Sequence, residues 1–259
     1  MSDQSFISGS LHDMHFHVPE QPAPPPVPAG RSRASHLRLW LPAIGGLALD
    51  LWSKDWAVTH LSTDHPRMVI ENVLNLRLSL NPGALFGLGA GLAPIFVGAS
   101  VLALLFVLYL FWQSTSRNYS LHIALGLVLG GAIGNLYDRT VEKAYVVQRP
   151  DGFRDVCELL GVGRHQQEVE VGDFGTGRNR RMYNLNEVRA GYMPVVRDFL
   201  SIEMQIAGYR VWPWIFNVAD ILLVAGVSLL MLNFWSDHRA ERAAAARAAA
   251  GEGATRTTG

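Results

Sequence analysis

The sequence predicts a mainly α-helical integral membrane protein with four transmembrane helices. Three observations carry that prediction. Hydrophobic residues make up 49% of the 259 residues at a mean hydropathy of +0.15, which fits a polytopic membrane protein with sizeable water-exposed parts. Four segments approach the ~20 mostly apolar residues that a bilayer core demands. Ionisable side chains stand near the ends of these segments, where charge is costly and by default marks a functional site.

Residues 1–36 contain no apolar run of the kind a cleavable signal peptide carries. Within them QPAPPPVPAG (21–30) should be extended and solvated, so this stretch is expected to be a tail. The first span is Leu37–Val58, the second Ala84–Trp112, the third Leu121–Tyr137 and the fourth Val211–Trp235. The first and third are marginal in length and glycine-bearing. Gly45, Gly46, Gly130, Gly131 and Gly134 would let helices approach closely in lipid, which predicts a packed bundle and not four separate anchors. Residues 236–259 form an Ala/Arg/Gly-rich tail without an apolar stripe to pack on.

Short flanks set orientation. Arg31, Arg33 and Arg38 precede the first span, Arg117 lies between the second and third, and Arg239, Arg242 and Arg247 follow the fourth. All three groups agree on the cytoplasm, which puts both termini inside and residues 59–83 and 138–210 outside. Trp52, Trp56, Trp112, Trp212, Trp214 and Trp235 fall near span ends, as interfacial anchors or as packing residues. Acidic and basic residues balance at 22 each, so no global field recruits nucleic acid. The single Cys157 excludes an internal disulfide and has no Cys/His cluster around it, so no metal site is expected.

The chemistry-bearing residues cluster at one end of the spans. Asp50 and Lys54 stand at i and i+4, either as part of a site or as an ion pair anchoring the helix. Asn81 opens NPGALFG (81–87), as a site amide or a helix N-cap. Asn135, Asp138 and Arg139 share one helix face in GGAIGNLYDR (130–139). Asn217 and Asp220 stand three apart in FNVAD (216–220), and Asp198 in VVRDFL (195–200) approaches from the chain entering the last span. Two carboxylates that meet and share one proton are the working parts of an aspartic protease.

These stations, together with LDLWSK (49–54) and in this order, resemble the lipoprotein signal peptidase family, also called signal peptidase II. The resemblance covers residues 37–235 apart from an insertion. It implies a four-helix membrane aspartic endopeptidase of the bacterial inner membrane. Such an enzyme removes signal peptides from prolipoproteins whose lipobox cysteine carries diacylglycerol, with its site at the outer face. Carried over by motif, the catalytic pair is Asp198 and Asp220. Asn135, Asp138, Arg139 and Asn217 would position or tune them, and Asp50, Lys54 and Asn81 are the remaining polar positions of the family. The resemblance implies no metal or organic cofactor, and lipid and the lipid-modified substrate as partners; the chain is expected to be a monomer. It also implies a small extracytoplasmic β-containing cradle between the first two spans, for which VIENVLNLRLSL (69–80) has a compatible pattern.

One departure stands out. About 141–192 separates the DR and DF motifs, a polar insertion expected to be an extracytoplasmic lobe or loop. It adds rivals for the first catalytic position: Asp173 in VGDF and, more weakly, Asp155. Asp198 is preferred because an apolar Phe-Leu pair follows it and the last span begins soon after. Two other functions compete, a polar-site transporter and an inactive membrane scaffold. The inner halves of the second and fourth spans carry no charges to continue a transport path, and a scaffold needs neither aspartate.

Overall fold

The computed structural model describes residues 25–82, 93–163 and 167–256. Among these residues, four helices carry the chain: α1 (Arg33–His60), α2 (Ala93–Gln113), α3 (Tyr119–Val141) and α4 (Val218–Arg256). Glycine contacts set how they pack. A Cβ at Gly126 would strike Pro42 of α1, one at Gly130 would lie 2.7 Å from the Ala43 carbonyl, and one at Gly134 would collide with the Asp50 carboxylate. The contacts climb both helices together, so α1 and α3 run parallel. A Cβ at Gly131 would meet the Ala219 carbonyl, and one at Gly226 would meet Val128, so α4 runs antiparallel to α3. Leu39, Ala43, Val107, Phe111, Leu125, Val128 and Leu129 close the bundle core.

The outward faces are apolar. Leu41, Ile44 and Trp52 on α1, Leu102, Leu105 and Phe106 on α2, and Val224, Met231 and Phe234 on α4 are all exposed. A belt of that kind has no stable place in water and fits a lipid surround. Among the described residues, two helices are by length and composition apolar enough to cross a membrane, α3 and the Val218–Arg247 part of α4.

Strands occupy the end of the bundle where α1 and α3 finish and α4 begins. β1 (Arg67–Ile70), β2 (Leu74–Asn81), β8 (Val196–Ile202) and β11 (Ile215–Phe216) make an antiparallel sheet in the order β1-β2-β8-β11. β3 (Lys143–Gln148), β4 (Arg154–Val162), β5 (Glu168–Gly172), β6 (Arg181–Asn184) and β7 (Arg189–Pro194) form a second sheet in the order β6-β5-β4-β3-β7. The pair β9 (Gln205–Ile206) and β10 (Tyr209–Arg210) is a small hairpin. A mainly α description therefore understates the chain, which combines a helix bundle with two sheets.

Several boundaries differ from the sequence reading. The expected start of the second span, Ala84, lies outside the described residues, as does the rest of NPGALFG beyond Pro82. Asn81 ends β2, paired with Val196, and is not a helix N-cap. Val211–Asn217 is not helical: Pro213 disfavours helix in the residue before it, and Asn217 supplies the cap from which α4 starts. At the other end α4 continues past Trp235 to Arg256, as its alanine-rich sequence favours. Residues 1–24 of the expected tail lie outside the described residues. Its final part is not fully solvated, because Ala29 is buried and donates its N–H to the Ser114 carbonyl at 3.0 Å.

Candidate active site

Strand pairing builds the first half of the site. Ser79 of β2 faces Asp198 of β8, so Asn81, two residues on, shares Asp198's side of the sheet. The Asn81 side chain is hydrogen-bonded to the Asp198 carboxylate. Asp198 itself is 6% exposed.

Helix capping builds the second half. Asn217 Oδ1 accepts from the Asp220 N–H at 3.0 Å, and Asp220 Oδ2 accepts from the Asn217 N–H at 3.1 Å. This reciprocal box fixes Asp220 in the first turn of α4. The same Asn217 donates its amide to Asp198 Oδ1 at 2.7 Å and to Asn135 Oδ1 at 3.1 Å. Asn135 in turn donates to Asp220 Oδ1 at 2.8 Å. Asp198 and Asp220 thus hang from one buried asparagine, and Asp220 is the more exposed of the two.

Below them lies a buried ionic layer. Lys54 and Asp50 meet at 2.8 Å, and Lys54 and Asp138 at 3.2 Å, with all three side chains at 0% exposure. Lys54 also reaches Asn135 Oδ1 at 3.3 Å. Asp50 Oδ1 accepts the Ala219 N–H at 2.8 Å, so α1 holds the start of α4. Arg139 sits within electrostatic reach of Asp198, Asp220 and Asp138. Burial pushes the Asp198 carboxyl up to about 8, and the neighbouring Asp220 carboxylate adds to that rise, against the lowering effect of Asn217, Lys54 and Asn81. At neutral pH Asp198 therefore holds a proton.

The family model of signal peptidase II (Peptidase_A8) matches residues 43–236, three quarters of the chain and all of these side chains. The chain belongs to the signal peptidase II family. It is accordingly an enzyme, a signal peptidase, and a membrane protein. A lipoprotein signal peptidase of Streptomyces griseus is 32% identical over 184 residues, covering 68% of this chain and 81% of that one. One from Desulfitobacterium hafniense is 28% identical over 67% of this chain and 77% of its own. One from Rhodopirellula baltica is 42% identical, over 38% of this chain and 45% of its own. A bacterial membrane enzyme solved at 2.3 Å by the in meso method shares the fold: 22% identity, TM-score 0.50, over 76% of this chain and 87% of that one.

All nine residues singled out in the motifs converge: Asp50, Lys54, Asn81, Asn135, Asp138, Arg139, Asp198, Asn217 and Asp220. The rivals do not join them. Asp173 accepts from Asn179 at 2.7 Å and from Arg181 at 3.1 Å. Asp155 accepts from the Tyr183 hydroxyl at 2.9 Å and pairs with Arg181 at 3.1 Å. Both serve the second sheet. Cys157 is buried there too, and burial pushes its thiol up to about 12, which makes it unreactive. The sequence reading missed Arg197, the residue before Asp198. Its one sequence signal was a basic residue between an apolar pair and Asp198-Phe199, where a buried strand would otherwise continue.

Proposed function

We propose that this enzyme is an aspartic endopeptidase acting on prolipoproteins whose cysteine carries diacylglycerol, with Asp198 and Asp220 as its catalytic pair. The observation that carries the reading is Asn217, whose side chain binds Asp198 and whose backbone binds Asp220. The family membership and the neighbouring Asn135 and Arg139 support it. In this mechanism Asp220 takes a proton from water as the water attacks the scissile carbonyl. Asp198 donates its proton to the carbonyl oxygen, and a proton later reaches the leaving amine. Asn135 and Asn217 keep Asp220 aimed, and Arg139 offsets the charge that develops. Neither a metal nor an organic cofactor takes part.

We further propose that all four helices span the bacterial inner membrane, with both termini cytoplasmic and the site at the outer face. Arg38 supports this orientation: it bonds the Ser116 carbonyl at 3.1 Å and lies over the Tyr119 ring, so the basic flanks gather at the end away from the sheets. A site at that depth takes the signal peptide from the bilayer while the acyl chains stay in lipid. The test is cleavage of a purified diacylglyceryl-modified prolipoprotein, next to the same precursor without its lipid. The expected result is a single cut before the modified cysteine and none in the unmodified precursor. A folded wild-type protein that cuts neither would favour a scaffold, and ion flux through reconstituted protein would favour a transporter.

A further inference from the structure

Arg197 lies inside VVRDFL without being one of its singled-out positions, yet it is 4% exposed and saturated with contacts. Its Nε and Nη2 donate to Asp138 Oδ1 at 3.2 and 2.8 Å, and its backbone N–H donates to Asp138 Oδ2 at 2.9 Å. Nη1 points outward to Asp55 and Glu142. Inward, Asp138 meets Lys54, Lys54 meets Asp50, and Asp50 accepts the Ala219 N–H. The line of contacts therefore begins on the backbone amide of residue 197 and ends on that of residue 219. Each is the residue before one of the paired aspartates.

We infer that Arg197 is a positioning residue: with Asp138, Lys54 and Asp50 it forms a buried charged strut through α3 and α1 that sets the separation of Asp198 and Asp220. The inference rests on the catalytic pair proposed above. Its signs alternate, so each buried charge is neutralised by its neighbours and none can leave without stranding another. The planar guanidinium gives the β8 end a fixed direction that a lysine ammonium cannot. A strand displaced by about an ångström loses on the order of 100-fold in rate.

The test compares purified full-length Arg197→Gln and Arg197→Lys with wild type and Asp220→Asn on diacylglyceryl-modified prolipoprotein. Arg197→Gln should lower kcat by roughly 10- to 100-fold while KM stays close to wild type. It should also move the alkaline limb of the pH profile downward. The groups facing Asp198 are Asp220 from α4, Lys54 from α1, Arg139 from α3, and Asn217 and Asn81; a more distant Asp220 raises Asp198 less. Arg197→Lys should recover part of both. A merely structural role would lower the folded fraction and leave the limb in place. Folded Arg197→Gln with wild-type kcat and limb would overturn the inference. Should that variant fail to fold, Arg197→Lys carries the same two readouts. Wild-type cleavage by Asp220→Asn would instead bring down the catalytic pair, whereas a silent Asp220→Asn beside a fully active Arg197→Gln brings down the strut alone.

Discussion

At the scale of the residue, Asp198 is where burial becomes chemistry. Its carboxyl is raised to about 8 from an ordinary value near 4 by desolvation first and by Asp220 second. The protonated form is the one the proposed mechanism uses, so activity should fall as pH rises through about 8, read as the alkaline limb of kcat/KM. A flat profile to well above that value would contradict the proton assignment. The same shift has a sign for stability. The folded state holds a proton that the unfolded state loses near pH 4, so this contribution is full below that pH and is lost as pH rises through about 8. Thermal unfolding in detergent from pH 5 to 9 should show the decline, and its absence in Asp198→Asn would locate it. Residue identity was largely legible in the sequence because the polar groups interrupt apolar spans, where each one is conspicuous. Arg197 was not, since nothing in a linear pattern says that a basic residue beside Asp198 turns inward to Asp138.

At the scale of the element, α3 does most of the placing. Its glycines let α1 and α4 close on it, and Gly134 leaves room for the Asp50 carboxylate. Gly134→Ala should therefore push Asp50 off the Ala219 amide and reduce both cleavage and thermal stability, by about 1–3 kcal/mol for overpacking. Gly45→Ala, where an added Cβ meets nothing within 4 Å, should leave cleavage unchanged and can gain up to about 1 kcal/mol from helix propensity. Equal effects from the two substitutions would remove the packing argument. Helix existence followed from hydropathy, but helix ends did not. Trp212-Pro213-Trp214 is apolar enough to read as span, and only the backbone restriction around Pro213 together with the Asn217 cap moves the start of α4 to Val218.

At the scale of the whole molecule, residues 143–194 share a hydrophobic core with α1, β2 and β8. Ala144 is buried with Ala57, Leu78, Leu80, Val195 and Phe199, and Val156 and Phe174 pack against the same cluster. Gly175, at φ +77°, turns the chain tightly onto Val58 of α1, where a side chain would collide. Phe174→Ala should thus cost up to about 3 kcal/mol and speed limited proteolysis within 143–194; unchanged proteolysis would mean that the second sheet is independently held. From sequence this segment reads as a polar lobe or loop, without its strands. Its strands are short, and the registers that join β3 to β4 and β7 are set by tertiary pairing that leaves little local signal. Its termini nonetheless belong to the same arrangement as the site, since β7 leads through Val195 directly into β8.

The most direct test of the central claim is cleavage of diacylglyceryl-modified prolipoprotein by Asp198→Asn, Asp220→Asn and Asp173→Asn, each checked for folding. Asp198→Asn and Asp220→Asn should be silent and Asp173→Asn active. Activity in Asp198→Asn together with silence in Asp173→Asn would move the first carboxylate to the turn after β5 and contradict the proposed pair.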